Sequence, residues 1–144
     1  MFSKACEYGI KAVIQISQTS GEGDRISLKE LAKKIDSPEA FTAKIMQMLT
    51  KKNIVSSFKG PNGGFHMSED KITTTKLCHI VKAIDGDKLF TECGLGLKKC
   101  DENKPCPVHD QFKGIRSSII GMLESTTMRM MIDKVNRGES YLKI

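Results

Sequence analysis

The six residues KGPNGG at 59–64 constrain this chain more than any other stretch. Pro61 has no amide to give a ladder and the glycines have no side chain to pack, so the segment suits a tight connection and not a strand interior. IVSSF at 54–58 lies on one side and GFHMS at 64–68 on the other. A β-hairpin over these residues is the expectation.

Two helical patterns precede it. SLKELAKKI opens with Ser27 and carries Glu30 three residues later, a capping-box spacing, with Leu28, Leu31, Ala32 and Ile35 on one face. In the following DSPEAFTAKIMQMLTKKN, Ser37 is expected to cap a second helix with Pro38 at its first position. Phe41, Ile45, Met48 and Leu49 supply the i, i+4, i+7, i+8 stripe. An earlier helix is read over 4–18 from Ala5, Gly9, Ala12, Val13 and Ile16. Two helices joined at Asp36 and Ser37, then a hairpin, are the order of a winged helix-turn-helix.

Charge agrees with that order. The chain has 23 basic and 17 acidic residues, a formal net charge of +6. No acid falls between Glu39 and Glu69, whereas Lys44, Lys51, Lys52 and Lys59 do. In a helix-turn-helix, residues near the start of the second helix reach base edges. Here these are Ser37, Pro38, Glu39, Thr42 and Lys44, with Glu39 suited to cytosine and Thr42 to a thymine methyl. Lys51, Lys52 and Lys59 would meet phosphates, and Lys59, Asn62 and Gly63 sit on the hairpin, which the glycines let approach DNA closely. The alternative is a pair of core helices with a solvated lysine face and a plain surface hairpin.

Downstream, Leu77, Ile80, Val81 and Ile84 form a helix face over 74–84, stopped at Asp85 and Gly86. A longer helix over 108–125 carries Phe112, Ile115, Ile119, Ile120 and Leu123, and a short one is expected within 126–138. Between them, ECGLGLKKCDENKPCPVH at 92–109 holds Cys93, Cys100, Cys106 and His109, spaced Cys-x6-Cys-x5-Cys-x2-His. Thiolates in a polar loop suit iron–sulfur clusters or zinc. Zinc knuckles pair ligands two to four residues apart, whereas these long loops can wrap a larger group. Gly94 and Gly96 let backbone amides approach bridging sulfides, and Lys98 and Lys99 offset thiolate charge. The alternative is a regulator without a cluster, switched by thiol oxidation, which has no need of His109, or holding structural zinc. Cys6 and Cys78 are read as packed small residues. His66 and His79 are read as surface or core-edge residues.

No apolar run approaches the roughly 20 residues a membrane helix needs, and the N-terminal residues lack an apolar signal core, so the expected location is cytoplasmic. There is neither a GxSxG elbow nor a Walker loop, and GPNGG leads from strand to strand rather than into a helix, so no enzyme is expected. A small iron–sulfur electron carrier is the remote alternative, in which the lysine-flanked wing would have no use.

Taken together, SKACEYGIKAV at 3–13, NIVSSFKGPNGGF at 53–65 and the three-cysteine segment before the long helix resemble the IscR/NsrR family of bacterial winged-helix regulators. The resemblance implies a mainly α fold with a small β-hairpin. It implies a winged helix-turn-helix over 1–85, a cluster-binding loop over 86–107, and a dimerisation helix and tail over 108–144. It also implies a homodimer joined through 108–124, a duplex operator as partner, and a repressor sensing iron–sulfur, redox or nitric oxide status through the cluster. Tyr8 stands at the family's aromatic position on the first helix, among the DNA-facing residues. Cluster-binding members use the cysteines matching Cys93, Cys100 and Cys106. A histidine matching His109 completes a [2Fe-2S] site in one branch. A partner-chain carboxylate matching Glu7 completes a [4Fe-4S] site in the other. The local spacing of His109 from Cys106 favours the [2Fe-2S] form. Two departures stand out: the first cysteine gap is six residues where relatives usually have five, and Lys59 replaces an arginine common on the wing.

Overall fold

The computed structural model describes residues 1–98 and 100–144; Lys99, read above as a counter-charge to the thiolates, lies outside the described residues. Helix α1 (Lys4–Gly21) starts where the Ser3 hydroxyl accepts from the Cys6 amide. Its buried stripe of Ala12, Val13 and Ile16 is the floor of the core. Helix α2 (Leu28–Lys34) is capped by Ser27, which accepts from the Glu30 amide at 3.2 Å. Asp36 then takes a left-handed backbone, φ 51°, which turns the chain into α3 (Glu39–Lys51). Asn53, φ 55°, ends α3 in the same way, a role asparagine fills at low cost.

Strands β1 (Ser56–Phe58) and β2 (Gly64–His66) pair antiparallel, with Ser57 opposite Phe65. They are shorter than the sequence pattern suggests, because Ile54 and Val55 are drawn into the core instead of joining the ladder. The backbones of Ile26 and Phe65 exchange hydrogen bonds of 3.1 and 2.8 Å, which staples the wing to the start of α2. Gly64, φ 140°, permits this, since a Cβ there would lie 2.6 Å from the Ile26 carbonyl oxygen.

Two helices carry no strong apolar period and escape the sequence reading: α4 (Glu69–Thr74), capped by Ser68, and the single-turn α6 (Lys88–Thr91). The helix expected from residue 74 begins later, as α5 (Leu77–Asp85), because Thr75 and Lys76 are extended and pair with the Thr126–Thr127 backbone. Helices α7 (His109–Ser125) and α8 (Met128–Asn136) complete the chain.

The stretch 108–144 divides in space. Helix α8 returns to the winged-helix body against α1 and α4, burying Met128 and Ile132 in the same core as α1. Burial of side chains of that size stabilises by roughly 1.5–3 kcal/mol each. Helix α7 instead buries only His109 and Leu123, and leaves Ile115 57% and Met122 47% exposed. Among the described residues no helix is long and apolar enough to cross a membrane.

Candidate functional site

The exposed side of α3 carries Glu39, Ala40, Lys44, Gln47 and Lys51, with Lys52 at its end. Residues 40, 44, 47 and 51 repeat at helical spacing, so they share one stripe. Gln47 was missed from sequence, although its position three residues past Lys44 is the signal for it. Pro38 is exposed at the helix start.

Two expected base readers do not serve. Thr42 is fully buried, and its hydroxyl donates to the Pro38 carbonyl at 3.0 Å, so it cannot touch a base. Ser37 does not cap α3: Pro38 occupies the cap position with no side-chain bond, and the Ser37 hydroxyl is buried without a protein partner among the described residues. Tyr8 is half-buried, edge-to-face on Phe41 at 5.8 Å, with the Lys11 ammonium 5.1 Å from its ring. Its contact props the first turn of α3.

On the wing, Lys59 and Asn62 are exposed, and Gly63 is half-buried where a Cβ would overlap the Phe58 carbonyl. Arg25, absent from the sequence reading, also reaches the wing. Its guanidinium carbon lies 3.7 Å from the Phe58 ring centroid, and Nη1 donates to the Asn62 carbonyl at 3.4 Å.

A second site lies at the other end of the fold. Cys93, Cys100, Cys106 and His109 together line a cavity of about 220 Å³, whose walls also include Glu102, Phe112, Lys113 and Arg116. The same four side chains border an adjoining space of about 270 Å³ under Lys104 and Pro105. His109 is the first residue of α7, and its amide donates to the Cys106 carbonyl at 3.0 Å, so the helix start places the imidazole. The His109 Nδ1 is 3.5 Å from Cys100 Sγ. Gly94 lies against Phe112 so closely that a Cβ would overlap the ring.

The electrostatics favour thiolate. The Leu95 and Leu97 amides donate to the Cys93 sulfur and lower its pKa; burial opposes them, and the Cys106 thiol and the Arg116 charge add to them. The Gly-bearing loop thus turns amides onto sulfur. Arg116 Nη1 lies 4.0 Å from Cys100 Sγ, and its Nη2 donates to the Glu92 carbonyl. It was missed from sequence, though its place seven residues past His109, two turns along the same face, marks it. Lys113 pairs with Glu102 at 2.6 Å at the rim.

The donors surround a volume and not a point. Among the described residues, no three His, Cys, Asp or Glu side chains gather closely enough for one metal ion. Three thiols and an imidazole around a shared cavity, with amides already on one sulfur, fit a polynuclear iron–sulfur group in donor chemistry. Glu7 does not line this space. It sits in the first turn of α1, hydrogen-bonded to Lys4 at 2.8 Å, which holds its carboxyl below the usual range. Cys6 and Cys78 are buried in the core, and burial, with Asp85 nearby, pushes the Cys6 thiol up to about 12. His66 is half-buried and His79 exposed, its Nδ1 accepting from the Lys76 amide.

The family described as "Rrf2: Iron-dependent Transcriptional regulator" matches residues 2–134. A protein assigned as an HTH-type transcriptional regulator in Aquifex aeolicus (strain VF5) is 32% identical over 147 residues, covering 99% of this chain and 96% of that protein. Among solved structures, CymR (YrzC), the global cysteine regulator of B. subtilis, superposes with TM-score 0.75 at 22% identity, covering 92% of this chain and 96% of its own. T. potens IscR superposes with TM-score 0.75 at 20% identity, covering 99% and 93%. These two likenesses establish the fold: a mainly helical winged helix-turn-helix with a two-stranded wing.

Proposed function

The chain belongs to the Rrf2 family of transcriptional regulators, and from that premise we propose that it is a homodimeric operator-binding protein, acting as a repressor, whose DNA affinity is set by an iron–sulfur cluster. Cys93, Cys100 and Cys106 are the proposed thiolate ligands and His109 the fourth, which favours a [2Fe-2S] form. The observation that carries the reading is the convergence of these four side chains on one cavity. When bound, such a cluster supplies iron and sulfide that react with oxidants and nitric oxide and exchange electrons.

The chain's own residues do the rest. The Leu95 and Leu97 amides and Arg116 stabilise thiolate at the cavity. His109 and Arg116 both belong to α7, so order in the 92–108 loop is tied to that helix. The exposed Ile115 and Met122 on α7 are the proposed contact with a second copy. Loop order therefore biases how two winged-helix bodies are held, and a ligand shifts that equilibrium only by its differential affinity for the two arrangements. On each body, Pro38, Glu39, Lys44 and Gln47 face bases, while Lys51, Lys52, Lys59 and Asn62 face the backbone.

A cluster-free thiol switch is the second reading, favoured by Cys93 and Cys106 lining the same cavity. A peroxide-class oxidant would join these sulfurs, taking two electrons and two protons and leaving as water.

The test separates the two sites. Lys59→Glu should abolish binding to an operator selected from random duplexes while leaving the visible cluster spectrum intact. Cys100→Ser should remove the spectrum while leaving a folded protein. Unchanged DNA affinity in Lys59→Glu would count against the wing, and a spectrum that survives Cys100→Ser would count against the cavity.

A further inference from the structure

We propose that Arg25, which lies outside both the recognition helix and the hairpin, is the minor-groove reader of the wing. The inference rests on the reading of the chain as operator-binding. Three observations meet at this residue. The Ile26–Phe65 backbone pair holds the segment before α2 alongside β2, so residue 25 is fixed at the wing. The guanidinium lies over the face of Phe58, 3.7 Å from the ring centroid. Nη1 donates to the Asn62 carbonyl at 3.4 Å, which brings the group to the loop that also carries Lys59.

This contact gives Phe58 a use on the wing. It is a large aromatic side chain, 40% exposed on a strand whose three residues all face solvent. As a shelf for a planar cation it gains cation–π attraction and restricts the arginine's rotamers before any partner arrives. Among the described residues no carboxylate pairs with Arg25. Its charge is left for an anionic partner beside a wing that carries no acid from residue 40 to 68, although Glu22 and Asp24 precede Arg25 in the chain.

Arginine suits a narrow, A·T-rich minor groove, being planar, weakly hydrated and drawn by the enhanced negative potential there. Lys59 offers a compact, strongly hydrated charge that follows phosphates but does not fill that role. The division of labour is that Lys59 holds the backbone and Arg25 reads groove width.

The experiment is fluorescence anisotropy with a duplex selected by the wild-type protein, and with a copy whose A·T-rich flanks are replaced by G·C pairs. Both are measured across a salt series. Arg25→Ala should lose about tenfold in affinity, and its log–log salt slope should fall by about one. Arg25→Lys should keep the slope but bind the two duplexes equally. Phe58→Leu should keep the slope with reduced discrimination. Thermal unfolding of each variant checks that the fold is intact. Wild-type affinity and slope in Arg25→Ala, or wild-type discrimination in Arg25→Lys, would overturn the assignment. If Lys44→Ala weakens binding while Arg25→Ala does not, only the Arg25 assignment falls. If wild-type protein selects no duplex, the operator-binding reading falls and takes this one with it.

Discussion

Arg116 on α7 reaches Cys100 across the sulfur-lined cavity, Nη1 to Sγ at 4.0 Å, while its Nη2 holds the Glu92 carbonyl. One side chain thus ties both ends of the first cysteine gap to the long helix and places a positive charge beside the Cys100 sulfur. Arg116→Ala should speed iron extraction by a chelator about tenfold, in line with other groups that support metal ligands indirectly. Arg116→Lys should fall between, since it keeps the charge and loses the fork. Equal extraction rates in all three proteins would leave Arg116 without this role.

Alkaline stability should depend on Cys6. Its thiol is raised from 9.0 to about 12, with burial the leading cause, so the folded state keeps a proton that the unfolded chain releases. The contribution is full below the ordinary thiol value and is lost as pH rises through the folded value. Cluster-free wild-type protein should therefore lose on the order of a few kcal/mol between those limits, and Cys6→Ala should lose less over the same range. Denaturant melts at pH 8 and at pH 10, about one unit either side of the ordinary value, check this; parallel losses in both proteins would contradict it.

The turn before α3 offers a test of opposite signs. Were Ser37 a helix cap, Ser37→Ala would cost about 1 kcal/mol. Its hydroxyl is instead buried with no protein partner among the described residues, so Ser37→Ala should leave the melting temperature unchanged or raise it. Thr42→Val, by contrast, breaks the bond to the Pro38 carbonyl. It should cost about 1 kcal/mol without changing operator preference.

Ile115 and Met122 are exposed on α7 where a monomer has no use for apolar surface. Ile115→Glu should shift sedimentation from dimer to monomer at micromolar concentration and weaken binding to a palindromic operator at least tenfold, because the two half-sites then lose their linkage. A dimer that persists would move the interface elsewhere.

Much of this was legible in the chain because strong periods and turn chemistry are local. The Ser27 cap, the Asp36 turn, the KGPNGG wing and the extent of α7 and α8 follow from residues a few positions apart. What failed depended on tertiary context. Thr42 looks like a base reader until the packing of α3 buries it. Ile54 and Val55 look like strand until the core takes them. Arg25 acts over 37 residues of separation, to Asn62, which no periodicity reports; Arg116 shares a helix face with His109, but its reach to Cys100, 16 residues back, is set by the fold. The clustering of Cys93, Cys100, Cys106 and His109 in a polar loop is a compositional signal, but their shared cavity is a product of the fold.

The most direct measurement is iron and acid-labile sulfide, with the visible spectrum, on protein purified without oxygen, alongside His109→Ala and Glu7→Gln. About two of each per chain, with a spectrum altered by His109→Ala and untouched by Glu7→Gln, is the expected result. About four of each, with the spectrum sensitive to Glu7→Gln, would contradict the assigned fourth ligand. No iron or sulfide, even after attempted reconstitution, would contradict the cluster itself and leave the Cys93–Cys106 pair as the switch.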